Sequence, residues 1–223
     1  LLDSHDTMRI GSLIVNRDHG SIRDWGKFFD LSKGSHPRTS TRKPAAEEKQ
    51  TQKLLALMQM CYVGAPMIYY GDEVGMWGAN DPCCRKPMVW EDLVYQPERI
   101  LPSGDARAEA QVVEADRDLL QCYQKLIALR KSRPVLSTGG FRTAIVDEER
   151  QLYGFERFSD EARLLIVLNN SRDEQQTVVA CEAAGWRDLL TGERFLPNGD
   201  RLASLTVPPR WGRVLEPIPI SGE

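Results

Sequence analysis

Gly64-Ala65-Pro66-Met67-Ile68-Tyr69-Tyr70-Gly71-Asp72-Glu73 carries the reading of the fold. Pro66 to Tyr70 is apolar and bounded by proline and glycine, which predicts a short buried strand. Ahead of it, Pro44 sits where a helix can begin, since its missing N–H is harmless in a first turn. Glu47 and Glu48 suit the positive end of that helix. Leu54, Leu55, Leu57, Met58 and Cys61 recur at helical spacing, so a helix is expected over Ala45–Tyr62, ended by Gly64. A second helix is expected over Ala115–Ser132. Leu119, Leu120, Tyr123, Leu126, Ile127 and Leu129 form its buried face, and Arg130, Lys131 and Arg133 suit its C-terminal end. Helix, strand and helix in this order predict a parallel sheet or barrel.

Between these elements the pattern is loop-like. Residues 8–43 offer one short helix near Met8–Asn16, with Trp25, Phe28 and Phe29 as apolar anchors. From Gly71 to Val112 no periodicity is visible, and a long ordered loop behind a buried strand is usually functional. After Gly140 the character changes. Arg142–Val146, Leu152–Phe158, Leu164–Asn169, Gln176–Ala180, Trp186–Leu189, Leu202–Val207 and Arg213–Leu215 read as short strands separated by polar turns, including the acidic turn Asp147–Glu149. This predicts a small antiparallel β-sandwich over residues 139–223, behind an α/β portion over residues 1–138.

Composition excludes several function classes. The 223 residues are 41% apolar and 27% charged, as in ordinary globular proteins. Twenty-nine Lys and Arg against 32 Asp and Glu give a net charge of −3, too little basic surface for a nucleic-acid partner. Arg38–Lys43 is the one small basic cluster. No apolar run reaches the ~18 residues of a membrane span, so no membrane partner is expected. The five cysteines, Cys61, Cys83, Cys84, Cys122 and Cys181, are odd in number and widely spaced, with no CxxC pair. No disulfide framework and no zinc site are expected, and reduced thiols point to the cytoplasm. Asp72, Asp81 and Glu91 lack calcium-loop spacing, so neither a metal nor a cofactor is expected. The chain opens at Leu1-Leu2-Asp3 without an initiator Met. A fragment of a longer protein is therefore expected, and this leaves a periplasmic or secreted location open.

Two blocks carry a resemblance. Leu1-Leu2-Asp3-Ser4-His5-Asp6-Thr7 resembles the fourth conserved block of the α-amylase superfamily of glycoside hydrolases, and Gly64–Glu73 resembles its last barrel strand. Gly78-Ala79-Asn80-Asp81-Pro82-Cys83-Cys84-Arg85-Lys86-Pro87-Met88-Val89-Trp90 is similar to the neopullulanase, cyclomaltodextrinase and maltogenic amylase branch. The resemblance implies the last part of a (β/α)8 TIM barrel followed by the β-sandwich. It implies retaining hydrolysis of α-1,4 or α-1,6 glucosidic bonds in cyclodextrins, pullulan or maltodextrins. It makes Asp6 the carboxylate that stabilises the transition state and His5 a donor to the hydroxyls of the cleaved sugar. Asp81 and Arg85 become the pair that holds the next glucose. The barrel face at strand C-termini is where such groups collect, and carboxylates beneath an oxocarbenium-like ring lower the barrier.

Retaining hydrolysis needs two carboxyl groups about 5–5.5 Å apart. The superfamily carries both on strands that precede the His-Asp block. The chain is therefore expected to be inactive alone, although its parent would be an enzyme. A barrel left incomplete exposes strand edges, which predicts aggregation or pairing with another copy. Each residue also has a plainer reading. His5-Asp6 can be a capped turn, and Asp81 with Arg85 a surface ion pair. Trp77, Trp90 and Tyr69 can stack on sugars or merely pack. Asp3 and Asp72 read as structural, His19 and His36 as surface residues. The alternative function is a non-catalytic sugar-binding or packing module, or a relative that has lost catalysis.

Overall fold

The structure, a computed structural model, describes residues 2–181 and 183–220. Leu1, which opens the His-Asp block, lies outside them. The chain forms two compact units, Leu1–Gln52 with Pro66–Gln124 and Lys53–Ala65 with Lys125–Glu223.

The first unit holds α1 (Ile10–Val15), a 3-10 turn at Arg17–Ser21, α2 (Trp25–Leu31), the start of α3 (Ala46–Cys61), a 3-10 turn at Asp72–Val74, the hairpin β1 (Glu98–Ile100) and β2 (Ala106–Gln111), and the start of α4 (Arg117–Ser132). α3 begins where it does because the Glu48 carboxylate accepts the Ala45 amide at 2.7 Å. That satisfies one of the orphan donors of the first turn. α4 is opened by Asp116, which accepts the Leu119 amide at 3.0 Å. Val74, Met76 and Val89 form a small core with Met88, Tyr95, Val113, Ala115 and Leu120 packed on it.

Several expectations for this unit are corrected. Pro66–Tyr70 runs without helix or strand character, and Met67 and Tyr70 are 43% and 40% exposed. A strand exists only where a neighbour takes up its ladder hydrogen bonds, and among the described residues none lies beside it. Every strand pair among them is antiparallel, and no parallel pair forms among the described residues. Residues 8–43 contain α2, which buries none of its residues and leaves Trp25 61% exposed, so Trp25 is no anchor. The stretch read as loop up to Val112 contains the β1–β2 hairpin.

The second unit follows the sequence reading closely. α5 (Val135–Thr138) precedes β3 (Gly140–Asp147), β4 (Leu152–Phe158), β5 (Arg163–Asn169), β6 (Gln175–Ala180), β7 (Gly185–Asp188), β8 (Arg194–Phe195), β9 (Leu202–Val207) and β10 (Trp211–Ile218). Six strands form one antiparallel sheet in the order β3-β4-β5-β10-β7-β8, and β6 pairs with β9 in a second. Leu152, Leu165, Val167 and Leu215 of the large sheet share one core with Val179, Ala203, Leu205 and Val207 of the small one. At the outer edges β3 carries a bulge between Thr143 and Ile145, and β8 is two residues long.

One buried cation organises the end of this unit. Arg157, on β4, is fully buried and donates to five carbonyl oxygens: Gly140 (3.1 Å), Cys61 (3.0 Å), Tyr62 (3.0 Å), Leu136 (2.7 Å) and Gly139 (2.9 Å). Arg130 on α4 closes the same helix end, donating to the Met60 and Gly64 carbonyls at 2.6 and 2.7 Å. The last carbonyls of α3, which no intrahelical N–H can reach, are thus satisfied by arginine.

Candidate functional site

The site begins at a tight turn. The Thr7 amide donates to the Ser4 carbonyl at 3.3 Å, and the Ser4 amide to the Thr7 hydroxyl at 2.8 Å. His5 and Asp6 occupy the two central positions, where side chains point outward. They are 66% and 61% exposed, and His5 Nε2 lies 3.1 Å from Asp6 Oδ2.

The loop that follows Trp77 folds back onto this turn. A Cβ on Gly78 would lie 2.3 Å from the Cys83 carbonyl oxygen, so only glycine permits the approach. The Gly78 amide donates to the Ser12 hydroxyl at 2.9 Å, and its carbonyl accepts the Arg9 amide at 3.0 Å. This brings Arg85 over the turn. Its Nη2 is 3.1 Å from Asp6 Oδ1, its Nε 3.0 Å from Asp81 Oδ1, and the same Nε donates to the His5 carbonyl at 2.9 Å. The four residues singled out in the sequence therefore meet at one place. Arg85 links two carboxylates from distant parts of the chain, and His5 stands beside them.

Beneath the site lies a residue that sequence reasoning missed. Arg9 is fully buried. Its Nε donates to the Cys84 carbonyl at 2.8 Å, and its Nη1 to the Tyr70 carbonyl at 2.7 Å and to Asp72 Oδ1 at 3.1 Å. Its guanidinium lies over the Tyr69 and Tyr70 rings, 4.5 and 4.8 Å from their centroids. Arg9 thus ties the Pro66–Tyr70 segment to the loop carrying Asp81 and Arg85. The Cys84 thiol adds a contact, donating to the His5 carbonyl at 3.1 Å.

Asp3 and Asp72 behave as structural residues. Asp3 accepts the Ile10 amide at 2.7 Å and so serves the first turn of α1. The two carboxyls are buried next to each other, and each acts on the other's titration. Burial first, then the neighbouring Asp3 carboxyl, pushes Asp72 up to about 9. Burial also raises Asp3, opposed by its hydrogen bonds to Asp72 and Ile10. A raised acid holds a proton in the folded state that the unfolded chain sheds at the ordinary carboxylate range. Its stabilisation is complete below that range and is lost as pH rises toward about 9. Asp72→Asn, which keeps a neutral hydrogen-bonding group, should flatten this decline. Urea unfolding midpoints between about pH 5 and about pH 9 will show it; parallel pH profiles for variant and parent would refute the raised Asp72 carboxyl.

The remaining candidates separate cleanly. Trp77 is buried, with Lys86 Nζ 4.7 Å and Lys43 Nζ 5.7 Å from its ring centre. Tyr69 is occupied by Arg9, whereas Trp90 is 57% exposed. His19 is a correction: it is buried, 3% exposed, because the segment near Arg38 lies against it. Burial, then the positive charge of Arg38, holds its imidazole below the usual range. His36 is half-buried and accepts the Arg38 amide at 3.2 Å. All five cysteines are free thiols. No helix among the described residues is long and apolar enough to cross a membrane, and no cluster of three His, Cys, Asp or Glu among them could hold a metal ion.

With this geometry in place, comparison with known proteins gives a family. The α-amylase catalytic domain matches residues 1–139, and the maltogenic amylase C-terminal domain matches residues 142–213. The chain belongs to the α-amylase family. It is 38% identical over 167 residues to neopullulanase 2 of Thermoactinomyces vulgaris, covering 73% of this chain and 25% of that protein. It is 33% identical over 184 residues to the cyclomaltodextrinase of Geobacillus thermopakistaniensis, covering 82% and 28%. The crystal structure of an Anoxybacillus α-amylase shares its fold with a TM-score of 0.70 at 20% identity, over 100% of this chain and 38% of that one. The chain thus spans about a quarter of the length of the curated relatives it matches.

Proposed function

We propose that the chain is the C-terminal portion of a retaining glycoside hydrolase acting on α-glucans. The observation that carries this reading is Arg85, which reaches Asp6, Asp81 and the His5 carbonyl at once. In this reading Asp6 lies under the ring that gains oxocarbenium character, and its charge stabilises that state. His5 donates to hydroxyls of the same sugar, and Asp81 with Arg85 holds the next one. Residues 1–138 end a (β/α)8 barrel in which residues 66–70 would pair as a strand only beside a neighbouring barrel strand of the parent protein, and residues 139–223 are a β-sandwich that follows in sequence. The names of the relatives, neopullulanase and cyclomaltodextrinase, support pullulan and cyclodextrins beside maltodextrins as substrates. Free thiols favour a reducing, cytoplasmic setting. The exposed Met67 and Tyr70 support association with a further strand or copy.

Both carboxylates of this site face one guanidinium. We infer that this chain alone binds glucan without cleaving it, and that the nucleophile and the acid come from other parts of the parent protein. Calorimetry with maltoheptaose, beside a reducing-sugar assay, tests both points. The chain should bind without releasing reducing ends. Arg85→Ala should weaken binding at this site about tenfold or more, because charge-assisted hydrogen bonds contribute roughly 1.5–3 kcal/mol. Equal affinity in Arg85→Ala would reduce the pair to a surface ion pair. Turnover that vanishes in Asp6→Asn would overturn the inference that the chain is inactive alone.

A further inference from the structure

We propose that the groove around Trp90 is a second saccharide site, sharing no residue with the His5, Asp6, Asp81 and Arg85 cluster. The groove has a volume of about 490 Å³ and is lined by Lys43, Lys49, Trp90, Glu91, Glu114 and Arg117 among others. This is the size range of small-molecule sites. Trp90 stands 57% exposed in it. Its presentation is fixed: the Trp90 amide donates to the Tyr95 hydroxyl at 2.7 Å, and the Leu93 amide closes the turn on the Trp90 carbonyl at 3.4 Å. An indole presented to solvent by a hydrogen-bonded turn offers a flat apolar face.

The charges around it narrow the ligand. Lys49 pairs with Asp116, Lys43 Nζ lies 3.5 Å from Glu114, and Arg117 Nε lies 3.2 Å from Glu91. Three cations meet three anions, so the rim carries no net charge. A phosphorylated or polyanionic ligand would find as much repulsion as attraction. A neutral polyhydroxyl ligand matches instead. Its C–H face stacks on the indole, its hydroxyls donate to Glu91 and Glu114 and accept from Arg117 and Lys49. The choice of an α-1,4-glucan as that ligand rests on the function proposed above.

Calorimetry of the full chain with maltoheptaose should give two sites. Trp90→Ala should lose one of them, and Trp90→Phe, which keeps a flat ring, should retain it. Arg85→Ala should weaken the other site and leave the Trp90 site intact, and the double variant Trp90→Ala, Arg85→Ala should keep at most that weakened site. Unchanged stoichiometry and affinity in folded Trp90→Ala would overturn the second site and leave the function reading standing. Loss on Trp90→Ala with no effect of Arg85→Ala would do the reverse. A concentration-dependent sedimentation coefficient that disappears in Trp90→Ala, without a second sugar site, would mean that the groove receives another copy of the chain, and would also overturn the proposal.

Discussion

Arg157→Met should destabilise the second unit by about 3–5 kcal/mol, because several buried carbonyl oxygens lose their donor at roughly 1–3 kcal/mol each. Five carbonyl oxygens lose their donor together at a site buried from solvent. Burial already holds the Arg157 guanidinium below its ordinary range, so its charge is tolerated only through these contacts. Arg157→Lys should fall between, because one ammonium cannot serve acceptors spread over α3, α5 and β3. Urea unfolding followed by near-UV circular dichroism measures the loss. A change under about 1 kcal/mol would show that solvent replaces the arginine.

Arg9→Met should remove glucan binding at the His5, Asp6, Asp81 and Arg85 site almost entirely and destabilise the first unit by roughly 3 kcal/mol, because two buried carbonyl oxygens and Asp72 lose their donor together. Arg9 is the shared support of the Tyr70 and Cys84 carbonyls and of Asp72. Without it the loop that carries Asp81 and Arg85 loses its anchor, and the two groups no longer share a fixed geometry with Asp6. Arg9→Lys keeps the positive charge beside Asp72 but cannot span both carbonyls. It should therefore retain most of the stability and still weaken binding. Hydrogen exchange of residues 78–86, beside calorimetry, separates the cases. Slow exchange and wild-type affinity in Arg9→Lys would confine Arg9 to a packing role.

The sequence made the helices α3 and α4 and most of the second unit legible, since each has an apolar face at the right period. Leu152–Phe158 and Leu202–Val207 fall where the alternation placed them. What stayed hidden lacks such a face. α2 buries nothing, and its one local signal is Asp24, whose carboxylate accepts the Lys27 amide at 3.0 Å. β2 is largely exposed along its length, so the hairpin shows only in the Pro102-Ser103-Gly104 turn. β8 is too short to leave a pattern. Pro66–Tyr70 read as a strand because its composition is that of one, yet pairing is a property of two segments. The site divides likewise. That His5, Asp6, Asp81 and Arg85 come together was legible through the family blocks. Arg9 was not, because two of its three acceptors are backbone carbonyls, which leave no mark in a sequence. His19 is buried by a distant segment, which local polarity cannot foretell.

The bulge in β3 and the brevity of β8 bear on how the large sheet meets its surroundings. A sheet grows by offering a straight row of amides and carbonyls to the next chain. At one border that row is broken between Thr143 and Ile145, and at the other it lasts two residues. The sheet is finite by construction, closed to recruitment from either side. Crowding the protein should leave these strands' amide exchange untouched, and any fibre it forms should be seeded from the Pro66–Tyr70 segment, where no such border has been drawn.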